Sequence, residues 1–171
     1  MQRLLLAALL AASVAGCGYR LITADAEGPV EAVQLVAIDD LTPQGDLGLH
    51  AVRRLRDKLA GRRRPALSGE GPGLGGVVRA ADEAPLAFDA THHAAVTEVG
   101  VEFELRLVAR DGTLLWSSGP IRRTRPCLRG ATPLEGHAAR RQARLDALAD
   151  AVDDALARFL AQPPLPVEET P

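Results

Sequence analysis

The feature that most constrains the fold is a long strand pattern between Val96 and Arg110. Apolar residues alternate there with a mostly charged set, namely Val99, Val101, Phe103, Leu105 and Leu107 against Gly100, Glu102, Glu104, Arg106 and Val108. Successive side chains of a strand point to opposite faces, so this pattern predicts a sheet with one apolar and one largely charged face. Asp111-Gly112 then predicts a two-residue hairpin turn, with residues 113–118 returning as the partner strand.

Two further strands and a first helix are predicted before this hairpin. The apolar run Val33 to Ile38 predicts a strand buried on both faces or near the sheet centre. A helix is predicted from its N-cap, Asp46, to about Ala60, because apolar side chains recur there every three or four residues. Gly76 to Ala81 predicts a second strand, and the glycine-rich stretch 68–76 before it predicts a flexible connection because no phosphate-binding motif accompanies its glycines.

A long second helix is predicted to follow Thr132. Thr132 as cap, Pro133 in the first turn and Glu135 three residues after the cap form a strong helix start. Apolar residues follow at helical spacing: Leu145, Leu148, Val152, Ala155 or Leu156, and Phe159. This stripe is suited to cover the sheet, which is a simpler use for it than a coiled coil. The elements together predict an α/β fold, a two-layer sandwich with a mostly antiparallel or mixed sheet of about four strands and two helices.

The N-terminus has the pattern of a bacterial lipoprotein signal. Arg3 precedes an apolar run, and small residues lead to Cys17, which predicts cleavage before Cys17 and lipid on its thiol. An ordinary signal peptide with an incidental cysteine is the alternative. The predicted organisation is a signal peptide (1–16), a lipidated tether (17–30), one α/β domain (31–160) and a disordered tail (161–171). Gly18 in place of Asp after the cysteine predicts sorting to the outer membrane, lipid-anchored on the periplasmic side.

The charge balance argues against nucleic acid as a partner. Loss of Arg3 with the leader takes the 20 Lys and Arg of the chain to 19, against 22 Asp and Glu, a net charge of about −3. A protein that binds nucleic acid usually carries a basic field, which this composition does not supply. The mature chain of 155 residues suits one domain.

The residues with reactive side chains predict neither an enzyme nor a cofactor or metal site. With Cys17 lipidated, Cys127 is predicted to be a buried or half-buried inert thiol rather than a disulfide partner or nucleophile. Asp89, His92 and His93 are not predicted to hold a metal, because adjacent histidines on an extended segment point to opposite sides. The serines and paired aspartates lack the arrangement of a catalytic site.

Arginines crowd the segment between Pro120 and Arg129. On a strand, Arg123 and Arg125 share one side while Arg122 faces the other. Such a cluster at a sheet end can bind phosphates or carboxylates through paired hydrogen bonds, so Arg122, Arg123 and Arg125 are the candidate phosphate-binding residues. A solvated rim is the alternative.

Several segments in this order resemble the LPS-assembly lipoprotein family, LptE. They are Cys17-Gly18-Tyr19-Arg20-Leu21, the Val33 to Ile38 strand with its Asp-x-Thr-Pro turn, residues 84–89, and the hairpin from Leu105 to Trp116. The resemblance implies a small α/β plug in the β-barrel of the outer-membrane LPS-assembly protein, contact with lipopolysaccharide, and a role in its insertion into the outer leaflet.

A different class of function fits the same elements. An auxiliary lipoprotein of an ABC-type lipid transporter, or a lipoprotein activator of a cell-wall synthase, also has a tethered α/β domain.

Overall fold

The computed structural model describes residues 32–43, 45–61, 66–67 and 71–162. The predicted signal peptide and tether, and residues 163–171 of the predicted tail, lie outside these ranges. The elements are β1 (Ala32–Asp40), α1 (Leu47–Ala60), β2 (Ala66–Leu67), β3 (Gly73–Phe88), β4 (Ala94–Val108), β5 (Leu114–Ser117), β6 (Ile121–Leu128) and α2 (Pro133–Leu160).

The strands form one mixed sheet in the order β2-β1-β3-β4-β5, and β6 also pairs with β4. β1 runs parallel to β2 and β3, whereas β3, β5 and β6 are all antiparallel to β4. β5 and β6 follow one another along the same edge of β4, since Arg106 is paired with Ser117 and Phe103 with Ile121. The predicted two-layer α/β sandwich is confirmed, and its sheet has six strands in the described residues in place of about four.

The core lies between the sheet and the two helices. The apolar set of β4 predicted from alternation is completely buried, and α2 packs its apolar stripe against β4 and β6. Leu148, Val152 and Phe159 of that stripe are buried, and the Phe159 ring lies 5.4 Å from the ring of Trp116. The prediction that the long helix covers its own sheet is therefore confirmed.

The two helices begin in different ways. At α2 the predicted capping box is present: the Glu135 N–H donates to Thr132 Oγ1 at 3.2 Å, and the Thr132 N–H donates to Glu135 Oε2 at 3.1 Å. At α1, Asp46 is the N-cap residue but its side chain makes no capping hydrogen bond. The Gly48 N–H donates instead to Asp40 Oδ2 at 3.0 Å, so a carboxylate from the end of β1 takes the role predicted for Asp46.

Asp40 is held as a carboxylate by this arrangement. Burial acts to raise its pKa, but hydrogen bonds from the Thr42 hydroxyl and from the N–H groups of Gly48 and Thr42 outweigh burial and leave the pKa below its ordinary value. The Asp-x-Thr turn thereby joins β1 to the first turn of α1.

The β1–β3 region differs from its prediction. In β1, Val33 and Ile38 are buried but Val36 and Ala37 are exposed, so the strand is not buried on both faces. β3 starts at Gly73, within the stretch predicted to be a flexible connection. Its glycines serve packing, because a Cβ at Gly76 would overlap the Glu104 carbonyl oxygen and one at Gly75 would overlap Val36.

The β4–β5 turn is one residue longer than predicted. The Ala109 N–H donates to Thr113 O at 2.8 Å, and the Gly112 N–H donates to Ala109 O at 3.0 Å. Residues 110–112 therefore form a three-residue loop, with Gly112 at φ +91°. This is the common arrangement of a tight turn followed by a left-handed residue, which glycine adopts without strain.

Candidate partner-binding face

Among the described residues, the sheet has one face that neither helix covers, and we call it the outer face. Even-numbered residues of β4 point to it, together with their cross-strand partners on β3, β5 and β6. The helices contact the opposite, inner face through residues such as Phe103 and Leu105. A face that the described elements leave uncovered is a candidate surface for binding a partner.

A buried carboxylate lies in the middle of the outer face. Glu104 is only 7% exposed, and its oxygens accept from Arg79, from Arg106 at 3.0 Å and from the Ser117 hydroxyl at 2.7 Å. The hydrogen bonds from Arg106 outweigh burial, and with those from Arg79 and Ser117 they lower the pKa of Glu104 to about 2. The cluster joins β3, β4 and β5, and it shields Val77, which is buried outside the main core.

Acidic residues exceed basic ones across this face. Its charged side chains are Asp39, Asp82, Glu98, Glu102 and Glu104 against Arg79, Arg106 and Arg122. Arg122 is bonded to Asp82 at 2.8 Å, and Glu102 is its cross-strand neighbour. Within the described ranges Glu98 and Glu102 form no ion pair at 4.0 Å or closer, so the face keeps a net negative charge.

The outer face becomes apolar where the β3–β4 hairpin ends. Leu128, Val96 and Ala87 are paired across three strands, and Phe88 is paired with Ala94 on the next rung. Phe88 and Leu128 are 61% and 73% exposed. We call these five residues the tip strip. Exposed large apolar side chains that lie close together are typical of an interaction surface.

The turn beyond the tip strip is firmly held. Asp89 Oδ1 accepts from the Thr91 hydroxyl at 2.6 Å and from the N–H groups of Thr91 and His93. These hydrogen bonds, that of Thr91 first, lower the pKa of Asp89 to about 2. His92 sits at φ +59° and His93 bonds to Thr91, so the histidines serve the turn. In the part of the chain that the structure describes, no group of three or more His, Cys, Asp or Glu is placed to hold a metal ion.

The three predicted phosphate-binding arginines lie on β6 and do not converge. Arg122 points to the outer face, whereas Arg123 and Arg125 point towards α2 and form ion pairs with Asp154 and Asp150. As predicted, Arg123 and Arg125 thus share one side of the strand and Arg122 faces the other. Each of the three arginines has a carboxylate partner. Phosphate binding by these residues stays a prediction, and an anion would compete there with three carboxylates.

Of the two cysteines, one can be placed. Cys127 is a free, buried thiol that packs with Val99 and Ala143, and its Sγ donates to the Leu128 carbonyl at 3.4 Å. The predicted burial is confirmed. Cys17 lies outside the described residues, so its lipidation stays a prediction.

A groove of about 220 Å³ separates the exposed sides of the helices, lined by His50, Arg53, Arg54, Asp57, Leu145, Leu148 and Ala149. Arg54 and Lys58 both bond to Asp153, at 2.7 and 2.8 Å. Burial raises the pKa of Asp153, but the hydrogen bonds from Arg54 and Lys58 leave it below its ordinary value. These ion pairs join α1 to α2, which is a structural role.

Sequence reasoning missed the cluster around Glu104. The alternation places Glu104 on the charged face, where exposure is the ordinary expectation, and Arg79 belongs to no distinguishing pattern. The spacing of Glu104 and Arg106 was a usable signal, because residues two apart in a strand share a face. The contribution of Arg79 depends on the register of β3 against β4, which the sequence does not display.

Among the helices of the described residues, none combines the length and the apolar composition needed to cross a membrane. No protein-family model matches the sequence, and no curated protein matches it.

Several solved structures share the fold. Lipoprotein B from Nitrosomonas europaea is 21% identical with a TM-score of 0.58, covering 84% of this chain and 91% of its own. Rare lipoprotein B from Shewanella oneidensis is 16% identical with a TM-score of 0.51, over 74% and 92% of the two chains. A minor lipoprotein from Acinetobacter baumannii is 10% identical with a TM-score of 0.51, over 77% and 91%. The described domain therefore has a fold that several bacterial lipoproteins also have.

Proposed function

We propose that the chain is a lipoprotein anchored in the outer membrane through Cys17, on the periplasmic side. It acts there as plug and assembly partner of the LPS-translocon β-barrel and helps insert lipopolysaccharide into the outer leaflet. The observation that carries the proposal is the fold shared with rare lipoprotein B and the other lipoproteins. The lipoprotein signal at Cys17 supports it independently from the sequence.

The two layers of the domain suit the role of a plug. A plug must keep its shape while water and polar side chains surround it, and the interior of an outer-membrane barrel is polar. The inner face supplies the rigid apolar core, and the outer face is charged with ion-paired arginines. Two or more acyl chains at Cys17 would keep the domain at one side of the membrane. The proposed role requires neither a catalytic residue nor a cofactor.

Co-purification tests this function. The full chain, with its own leader and a C-terminal tag, is expressed in its native bacterium and isolated from detergent-solubilised outer membranes. We expect the LPS-assembly barrel to be recovered with it in comparable amounts. Recovery of the lipoprotein without any barrel contradicts the proposal, and recovery with a transporter permease or a cell-wall synthase supports the alternative class of function.

A Cys17→Ser variant is the control for the anchor. Because the thiol is the lipid acceptor, this variant should leave the outer-membrane fraction while the domain still unfolds cooperatively. Normal membrane fractionation of the variant would contradict lipidation at Cys17.

A further inference from the structure

We propose that the outer face is the docking surface for a basic patch on a protein partner, with the tip strip as its apolar anchor. The inference rests on the proposed function, which identifies this partner surface as the inner wall of the barrel. The inference specifies that the outer face of the plug contacts the wall of the barrel. It also specifies that this part of the wall is basic.

The outer face is large enough for a stable interface. β4 has 15 residues, which at about 3.4 Å per residue gives a length of about 50 Å. Strands spaced by about 4.8 Å give the β1 to β6 surface a width of roughly 15–20 Å, hence an area on the order of 800 Å². A standard protein interface buries about 800 Å² on each partner, so this one face can supply a complete interface.

Charge selects the kind of partner. Among the described residues the face carries five carboxylates against three guanidinium groups, and all three arginines bond to carboxylates of the face. Glu98 and Glu102 have no ion-pair partner in the described ranges, so they are available to Lys or Arg of another protein. A second copy of the face would bring like charges together, and the phosphates of a lipid surface would be repelled in the same way. A basic protein surface is the occupant that complements this charge.

The tip strip fixes how the partner lies. Phe88 and Leu128 are exposed, yet the hydrogen-bonded turn at Asp89 keeps the hairpin end ordered. Apolar side chains that are held in place before binding lose little conformational freedom on contact. β1 starts beside Gly73, at the opposite end of β3 from Phe88, so the tip strip lies far from the point where the predicted tether joins the domain.

Photocrosslinking in the native bacterium tests the assignment. The full lipoprotein carries p-benzoylphenylalanine at Ala84 or Thr124 on the outer face, or at Arg56 or Asp146 on the exposed sides of the helices as matched controls. We expect Ala84 and Thr124 to capture the LPS-assembly barrel and the helix positions to capture little of it. Capture from the helix positions alone overturns the inference and leaves the proposed function standing. Capture from none of the four positions counts against both.

Charge reversal then tests the chemistry. Glu98→Arg with Glu102→Arg should lower capture from Thr124 by about tenfold, because two attractions become repulsions. Asp57→Arg with Asp146→Arg makes the same change in net charge on the helix side and should alter capture by less than about twofold. Glu98→Gln with Glu102→Gln removes the two charges without adding repulsion beside Arg122, so it should lower capture from Thr124 by an intermediate amount. This milder variant also tests the proposal if the double arginine variant does not fold. Equal effects of the outer-face and helix-side variants would overturn the basic-patch assignment.

Discussion

The two faces of β4 are built from alternate residues of one strand, yet they become buried by different means. On the inner face, Phe103 and its apolar neighbours are covered by α1 and α2. On the outer face the described residues place no helix, and Glu104 is nearly inaccessible because two arginines and a serine surround it. Burial on the inner face thus follows from hydrophobicity along the strand, and burial on the outer face depends on which strands are neighbours.

The largest effect is expected from the inner face. Phe103→Ala should lower the free energy of unfolding by about 3–5 kcal/mol, because it removes a fully buried aromatic side chain and leaves a cavity. Glu102→Ala, one residue earlier and on the outer face, should change it by no more than about 0.5 kcal/mol. Urea denaturation of both variants measures the difference. Similar losses for the two would show that the faces do not differ as described.

A smaller but substantial effect is expected at Glu104. Glu104→Gln should cost about 1.5–3 kcal/mol at pH 7, since charge-assisted hydrogen bonds from both arginines are weakened. The lowered pKa means that the charged form stabilises the fold above about pH 4.5, and that this stability is lost as the pH falls towards 2.

The pH dependence of the stability loss distinguishes loss of the Glu104 charge from simple loss of packing. The stability difference between the parent protein and Glu104→Gln should shrink on acidification from pH 5 to pH 2, as measured by urea denaturation at each pH. Glu98→Gln, on the same face without an ion pair in the described ranges, is the control and should show almost no difference. If the stability difference between the parent protein and Glu104→Gln stays constant with pH, the charge of Glu104 does not stabilise the fold as described.

The start of the covering helix should matter less. Thr132→Ala should cost about 1 kcal/mol, because the Glu135 N–H loses its acceptor at the first turn of α2. Asp46→Ala, at the same position of α1, should cost less than about 0.5 kcal/mol, because within the described ranges the Asp46 side chain makes only an exposed ion pair with Arg141. Thermal denaturation measures both. A greater loss for Asp46→Ala would reverse the assignment of the two caps.

A loss of stability no larger than that of Thr132→Ala is expected where β6 meets α2. Asp150→Asn with Asp154→Asn removes two exposed ion pairs and should cost less than about 1 kcal/mol. If Arg123 and Arg125 bind the phosphates of lipopolysaccharide, the ligand that the family resemblance implies, release from these carboxylates should raise retention of the protein on immobilised lipopolysaccharide. Arg123→Gln with Arg125→Gln should lower it. Unchanged retention in both variants would contradict the phosphate-binding role.

The local features of the fold were largely readable from the sequence. The alternation in β4, the Thr132 capping box and the apolar stripe of α2 each depend on residues close together in the chain, so their patterns are visible without the structure. The capping role predicted for the Asp46 side chain was wrong. The position of Asp46 satisfies the local rule for a cap, but the acceptor in the first turn of α1 is Asp40, at the end of another element. The predicted hairpin loop was one residue too short, because an Asp-Gly pair occurs in both two-residue and three-residue loops.

The candidate site was much less predictable. The sequence indicated the side on which each arginine of β6 would point, but not that Asp82, Asp150 and Asp154 would neutralise them. Those partners are 25 to 40 residues away and are brought together only by strand register and helix placement. The tip strip also depends on strand register, because Phe88 and Leu128 come from different strands.

Three features follow from composition and short-range spacing alone: which residues of the long hairpin are apolar, where the long helix starts, and the lipoprotein signal pattern that precedes Cys17. Three other properties depend on the tertiary structure: among the described residues one sheet face is left uncovered, Glu104 is buried within that face, and the face is net acidic with an apolar end. These properties belong to pairs of residues on different strands, and their proximity is set by how the sheet packs against the two helices of the described residues.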